Sequence, residues 1–433
     1  MIEIIHSRQT QRLADKLQQI RERSVALDAE LMSQVAAIIQ DVRIRGDAAL
    51  IDYTAQFDGF TIRDSDLSVT EETLTTIAAA VDPQVLAAVR EAIRRVRFFH
   101  EFERQDSWEV DTSSGVRLGQ RITPIEAAGL YVPGGMASYP SSVVMNVVPA
   151  QVAGVRRIVV ATPPRALQEN PAVAAALVEL GVTEVYAVGG AQAIAALAFG
   201  TETVPRVDKI TGPGNRYVAA AKKLVFGIVG IDSIAGPTEV VVVADDTARA
   251  SYIAGDLLAQ SEHSEDASAV LVTTSERLAA DVAGELRDQA QQLPRVSIIE
   301  KSLARYGAIL VVGDMDEACA IVNELAPEHL EIVCRDEELI ASRIRHAGAI
   351  FFGDQTPEAT GDYLAGPNHV LPTSGSARFS SALGVYDFLK RTSILKFTSN
   401  ELKQTASMIA TLARAEGLEA HARSALLRLE EEN

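Results

Sequence analysis

Two Glu-His pairs in the second half of the chain offer its most direct chemistry. One closes Leu257-Leu258-Ala259-Gln260-Ser261-Glu262-His263. The other lies in Asn323-Glu324-Leu325-Ala326-Pro327-Glu328-His329-Leu330. Only 7 His occur among 433 residues, so two of them beside carboxylates bear on function. Imidazole is both the commonest metal ligand and the commonest general base near neutral pH. A chain that divides these roles between two places is a metal-assisted enzyme.

Gln260 and His263 lie three apart at the end of an expected helix, so both project from one face. A His and a side-chain amide oxygen make a partial metal site that needs further ligands. A capped helix end with a solvated His is the competing reading. Glu328-His329 precedes an expected strand, whose edge is a rigid mount for acid–base groups. There the competing reading is an exposed polar turn. Asp362 and His369 flank Ala365-Gly366-Pro367-Asn368, and Asp362 could complete an oxygen and nitrogen shell. His421 stands near Glu416 across Gly417, in a helical tail where an isolated His is ordinarily solvated. Two glycine turns, Val188-Gly189-Gly190-Ala191-Gln192 and Thr211-Gly212-Pro213-Gly214-Asn215, each follow a strand and open a helix. Such turns aim backbone N–H groups at an anion, although turn chemistry alone also explains them. Neither is Gly-x-Gly-x-x-Gly, and no Walker loop exists. Cys319 and Cys334 read as small buried hydrophobes.

The elements that must position these residues follow from pattern and composition. Net charge is 40 − 58 = −18, which argues against a nucleic-acid surface. Two cysteines build no disulfide framework. The first residues lack the pattern of a signal peptide, and no apolar run approaches the ~20 residues of a membrane span. A cytoplasmic enzyme is the expectation. The first ~105 residues read mostly as helix. Strand-like text runs from Val116 to Val132 and ends at Pro133-Gly134-Gly135. Short apolar runs then alternate with helices: Ile158–Ala161, Val185–Val188, Val207–Ile210, Val240–Val243, Ala269–Val272, Ile309–Val312, Glu331–Val333 and Ala349–Phe352. That alternation predicts an α/β fold with two doubly wound, Rossmann-like parallel-sheet lobes meeting near Asp232–Thr238. We expect an N-terminal helical segment at 1–27, a first lobe from 28–130 plus 238–384, a second lobe at 131–237, and a helical tail at 385–433. Residues Gly361–Gly384 read as a long functional loop. No internal repeat is visible. The tail is too short for a core of its own, so it is expected to pack elsewhere, as on a second subunit.

Several segments together resemble the histidinol dehydrogenase family. They are Tyr131–Gly135, Thr211–Asn215, Ala235-Gly236-Pro237-Thr238-Glu239, Gln260–His263, Leu325–Glu331, Gly361–Phe388 and Ala415-Glu416-Gly417-Leu418-Glu419-Ala420-His421. The resemblance implies a zinc- and NAD-dependent oxidation of L-histidinol to L-histidine through L-histidinal, with two NAD+, as the last step of histidine biosynthesis. It implies Gln260, His263, Asp362 and His421 as ligands of one Zn2+ per subunit, and Glu328 and His329 as acid–base residues. Thr238, Gln260, His263, His329, Asp362, Glu416 and His421 would contact substrate. Tyr131, Gln192 and Asn215 would contact NAD. It further implies a homodimer whose tail crosses to the partner. Thr238 stands where the family often has Ser, and Ser261-Glu262-His263-Ser264 replaces the usual Ala-Glu-His-Gly.

Two other classes remain to be weighed. A zinc hydrolase would use Glu, His and water but need no nicotinamide pocket. A scaffold protein would have lost ligand positions that are all occupied here.

Overall fold

The computed structural model describes residues 2–23, 28–134 and 139–430. Gly135, at the end of the strand-like text, and 24–27, in the expected N-terminal segment, lie outside the described residues. The chain forms two units, Met1–Glu103 with Glu126–Phe388 and Arg104–Ile125 with Leu389–Asn433.

The first unit holds two six-stranded sheets. In spatial order, one sheet runs Ile4–His6, Ala308–Val311, Ser268–Thr273, Glu239–Ala244, His329–Val333, Ala349–Phe352, with every pair parallel. The other runs Ser68–Val69, Glu184–Ala187, Arg157–Thr162, Ala127–Tyr131, Lys209–Thr211, Gly230–Ile231, parallel except at its first edge. Strands buried on both faces read as unbroken apolar text, and Val240–Val243 is wholly buried. Each sheet winds outward in both directions from one central strand, Glu239–Ala244 or Ala127–Tyr131. Each also takes a short strand from the N-terminal region onto one edge. The same winding therefore occurs twice, although the text carries no repeat.

Some segments differ from expectation for identifiable reasons. Ile4–His6, in the expected helical segment, pairs with Ile309–Val311 before the helix Thr10–Glu22. Three residues are too few to show a period. The stretch 116–132 is two strands. Arg117–Pro124 is antiparallel to Leu389–Lys396 and Trp108–Asp111, whereas Ala127–Tyr131 joins the parallel sheet. The helix Ala29–Arg45, expected with the sheet of 238–384, packs its stripe Leu31, Val35, Ile38 and Val42 among Val159, Ile194 and Ile210 of the other. An amphipathic stripe shows that it needs an apolar partner without naming which.

The second unit is a three-stranded antiparallel sheet with the helices Ser399–Ala415 and Glu419–Glu430. The expected all-helical tail therefore contains a strand, whose text Lys390-Arg391-Thr392-Ser393 lacks an apolar alternation. Ala410, Ala413 and Ala422, with Leu426, form a small cluster between the two helices. Among the described residues no helix is long and apolar enough to cross a membrane.

Candidate active site

The backbone of one residue organises the candidate acid–base pair. Glu239 opens its strand beside the strand opened by His329, with Val240 opposite His329. The Glu239 N–H donates to Glu328 Oε2 at 3.0 Å, and its carbonyl oxygen lies 3.2 Å from His329 Nδ1. A carbonyl only accepts, so Nδ1 carries the ring hydrogen and Nε2 keeps its lone pair. The Thr238 hydroxyl donates to the same Glu328 oxygen at 2.5 Å. Glu328 and His329 are only 7% and 4% exposed, which rules out the polar-turn reading. Burial pushes the Glu328 carboxyl up to about 8, opposed by the Thr238 bond and reinforced by the charge of Glu239. Burial pushes His329 down to about 4, against the pull of Asp362. The imidazole is thus neutral at physiological pH.

The Glu239 side chain anchors this backbone. Arg23 donates to its carboxylate at 2.5 Å and to the carbonyls of Thr238 and Asp266, each at 2.8 Å. The Ser374 N–H donates to the other carboxylate oxygen at 2.9 Å. Both partners of the ion pair are buried.

Gln260 ends the helix Ala250–Ser261 and is fully buried between Thr238 and Glu358. If Thr238 gives its one proton to Glu328, the Gln260 amide donates to Thr238 Oγ1 at 2.6 Å. Its oxygen then faces Glu358, which must be protonated. An ionised Glu358 instead reverses the amide, whose nitrogen then donates to Glu358 at 2.9 Å. Burial first, then the charges of Asp362, Glu331 and Glu328, hold Glu358 well above the carboxylate range, which favours the first arrangement. Glu358 Oε1 also lies 3.5 Å from His329 Nδ1. Beneath it, Glu331 accepts the Glu358 N–H at 3.0 Å and shares a hydrogen bond with Asp256. Burial lifts Asp256 to about 6 and Glu331 well above its usual range, so the two carboxyls hold a proton between them.

Asp362 is half-buried on the helix Glu358–Tyr363, and its charge acts on His329 and His369. His263 is exposed just past its helix and also acts on His329. The buried Nε2 of His369 has no partner among the described residues. A cavity of about 270 Å³ is lined by His329, Phe351, Thr360, Asn368 and His369. Glu416 and His421 belong to the second unit, where both are exposed. Among the described residues, no three His, Cys, Asp or Glu side chains gather as a metal ion requires. The donor types of Gln260, His263, Asp362 and His421, two oxygens and two nitrogens, nonetheless fit zinc.

Tyr131, Gln192 and Asn215 line one cavity of about 620 Å³. It lies at the carboxyl ends of the second sheet, where the winding reverses between Ala127–Tyr131 and Lys209–Thr211. Open α/β sheets bind ligands at that place. The Tyr131 hydroxyl accepts the Gly190 N–H at 3.1 Å, and burial pushes its pKa up to about 12. Asn215 caps the helix Arg216–Val225, accepting from the N–H groups of Tyr217 and Val218. The buried Gln192 has no partner for either amide atom among the described residues. Gly190 has φ +67°, and a Cβ there would lie 2.7 Å from Gln192 Oε1.

Comparison with known proteins shows the family. The histidinol dehydrogenase family model matches residues 21–429. Histidinol dehydrogenase of Geobacillus kaustophilus is 55% identical, covering 92% of this chain and 93% of its own. That of Bacillus subtilis is 53% identical over 91% and 92%. The crystal structure of histidinol dehydrogenase from Elizabethkingia anophelis superposes with TM-score 0.89 at 36% identity, covering 94% of each chain. The chain belongs to the histidinol dehydrogenase family. It is accordingly an NAD-dependent oxidoreductase. A betaine aldehyde dehydrogenase from Staphylococcus aureus, 11% identical with TM-score 0.50 over 84% of this chain and 88% of its own, shares the fold alone.

Within that family framework, both thiols stay protonated. Burial raises Cys319 and lifts Cys334 to about 12. The residues that sequence reasoning gave no role are Arg23, Glu239 and Glu358. Glu239 stood inside the quoted Ala235–Glu239 segment, but nothing in the text shows that its backbone faces Glu328 and His329. Arg23 lies 216 residues from its partner.

Arg23 grips two backbone carbonyls and a carboxylate with one planar fork, which lysine cannot copy. Arg23→Lys is expected to lower kcat by about 10-fold through misplacement of the Glu239 backbone, with KM for NAD little changed. Steady-state kinetics on folded variant checks this. A kcat within twofold of wild type would show that Arg23 only adds stability.

Proposed function

We propose that this chain oxidises L-histidinol to L-histidine through L-histidinal, using two NAD+ and one Zn2+ per subunit, as the last step of histidine biosynthesis. The observation that carries the reading is the Glu239 backbone. It presents a carboxyl and a neutral imidazole side by side, next to Gln260 and within the field of Asp362.

Gln260, His263, Asp362 and His421 would hold the metal, which supplies a Lewis acid and a template for the substrate's amine and imidazole. Substrate contacts are assigned to Thr238, His329 and Glu416 with these ligands. Tyr131, Gln192 and Asn215 are assigned to NAD. His329 Nε2 accepts the hydroxyl proton as the carbinol carbon passes hydride to NAD+, giving the aldehyde. Glu328 then takes a proton from water as that water adds to the aldehyde carbon, and His329 returns the proton it gained to the carbonyl oxygen, which completes the diol and frees Nε2 to accept again. The resulting gem-diol loses its second hydride to another NAD+ while His329 again accepts a hydroxyl proton. A carboxyl lifted to about 8 is a stronger base than an ordinary glutamate, once ionised.

Absorbance at the NADH wavelength, with purified protein, NAD and histidinol, tests the activity. Chelation is expected to abolish turnover, and Zn2+ to restore it. Full turnover by protein shown metal-free by elemental analysis would exclude the metal.

His329→Ala and Glu328→Gln are expected to fail differently. The first should slow both oxidations by roughly 10²–10⁴-fold, the second mainly the aldehyde step. In wild type, kcat/KM for supplied aldehyde should rise with pH through about 8, as Glu328 loses its proton, and Glu328→Gln should lose that rise. Equal loss of the two half-reactions in Glu328→Gln would refute the division of roles.

The enzyme is further proposed to be a homodimer whose Glu416 and His421 serve the partner's site. Mixing a His421 variant with a His329 variant should then regenerate one intact site per heterodimer. No recovery in heterodimers confirmed by mass spectrometry would exclude sharing. A ligand given across the interface makes metal binding stabilise the dimer.

A further inference from the structure

Thr373 and Ser374 stand in the Gly361–Gly384 loop, and the reaction above uses neither side chain. They belong to a tight turn, Thr373-Ser374-Gly375-Ser376, which the Ser376 N–H closes by donating to the Thr373 carbonyl at 3.0 Å. Ser374 has φ 54° and Gly375 has φ 77°. Glycine adopts that region freely, whereas serine does so only where its surroundings impose it. The surroundings here are the segment Gly236-Pro237-Thr238-Glu239. The Thr373 hydroxyl accepts the Gly236 N–H at 2.6 Å, and the Ser374 N–H donates to the Glu239 carboxylate at 2.9 Å. The turn thus takes hold of both ends of the segment. It fits closely, since a Cβ on Gly236 would collide with Ser374 Oγ. Thr373 is buried, so an N–H deprived of its hydroxyl there is costly to leave unpaired. Beyond the turn, Arg378 donates to the carbonyls of Asn323 and Glu324, at 2.7 and 2.8 Å. Those residues end the helix Met315–Leu325, which leads to Glu328. The turn is therefore tied to both arms of the chain that meet at Glu328.

We propose that Thr373 is a positioning residue for hydration of the aldehyde, its hydroxyl fixing the Gly236–Glu239 segment so that the Thr238 hydroxyl and the Glu239 N–H meet on one oxygen of Glu328. The inference rests on the reaction proposed above and names a residue to which that reaction gives no role. Arg23 holds the segment at the carbonyls of Pro237 and Thr238, and Pro237 has no N–H to offer. The Gly236 N–H is what the leading end presents to a partner, and Thr373 meets it. Two donors on one carboxylate oxygen leave the other free to face the water that Glu328 must deprotonate. A segment that slips turns the carboxyl away from that water, which costs the step that adds water and spares one that adds none. His329 is less open to the same slip. Its partner is the Glu239 carbonyl, on a strand paired on both sides.

The test compares two reactions of supplied L-histidinal on the full-length protein with Zn2+ present. With NAD+ the aldehyde is oxidised, which needs added water. With NADH it is reduced to histidinol, which does not. Both start from the same aldehyde, so a change in its binding cancels in their ratio. Thr373→Val keeps the shape and removes the acceptor. It is expected to slow oxidation by roughly 10-fold relative to reduction, the scale of a buried donor left without its partner. Thr373→Ser restores the hydroxyl and should return the ratio to within about threefold of wild type. A Thr373→Val protein with the wild-type ratio overturns the proposal, because a bond that only stabilises the fold would lower Tm and leave the ratio alone. A ratio that stays low in Thr373→Ser also overturns it, since the lost methyl rather than the hydroxyl would then be at fault. Gly236→Ala pushes the turn away at the same contact. It should lower the ratio in the same sense, which keeps the proposal testable if Thr373→Val does not fold, and an unchanged ratio there overturns it equally. Wild-type protein that makes no NADH from histidinol or histidinal overturns the reaction itself, and this inference with it.

Discussion

The chemistry of this molecule hangs on the ion pair between Arg23 and Glu239. Both side chains are buried, and a buried pair repays its desolvation only when further hydrogen bonds complete it. Here most of them are made: Arg23 donates to the Thr238 and Asp266 carbonyls, with only its Nε left without a partner among the described residues, and the Ser374 N–H donates to Glu239. The outcome is a residue whose backbone is held in place. Its N–H fixes a Glu328 oxygen, and its C=O fixes the tautomer of His329. The N–H and C=O of one residue thus set the separation of two side chains that are adjacent in sequence, and adjacent residues on a strand would otherwise diverge.

The two sheets share a winding but use opposite ends. In the second sheet the large cavity opens at the carboxyl ends of the strands, where glycine turns lead into helices. In the first sheet the acid–base residues stand at the amino ends, since Glu239, His329 and Ala349 each begin a strand. Amino ends have no anion-binding turn to offer. What they provide here is rigidity, because parallel pairing on both sides of Glu239–Ala244 holds its first residue. Mounting acid–base groups on paired strands rather than loops keeps them within the sub-ångström tolerance that such chemistry needs.

Much of this was legible in the sequence, and the gaps have physical causes. The central strands were readable because burial on both faces demands unbroken β-branched text, as in Val240–Val243. The marginal strands Ile4–His6 and Leu389–Lys396 were not, one being too short and the other too polar to show a period. Glu328 and His329 were readable as a pair because side-chain type announces acid–base chemistry. Glu239 was not, since its part is played by its backbone, and every residue has one. Arg23 and Glu358 were hidden by distance along the chain, because only folding brings them to Glu239 and Gln260.

The fold by itself does not choose this chemistry. It is shared, at 11% identity, with an aldehyde dehydrogenase, and a fold hosts many sites. What chooses is the state of the side chains at the site. Covalent capture of an aldehyde needs a thiolate, and burial keeps both thiols here protonated. Cys319 faces the Ile340 carbonyl and Cys334 the Val243 carbonyl, in each case within the packed layers of the first sheet. In the proposed reaction the second oxidation then runs through added water. A base for water has to be strongly basic and ionised in use, and a buried glutamate held near 8 gains the first at some cost to the second, being fully ionised only above about 8. The burial that silences the cysteines is thus the same force that fits Glu328 to its task, and the difference lies in the donors from Thr238 and Glu239, which keep that carboxylate accessible to ionisation.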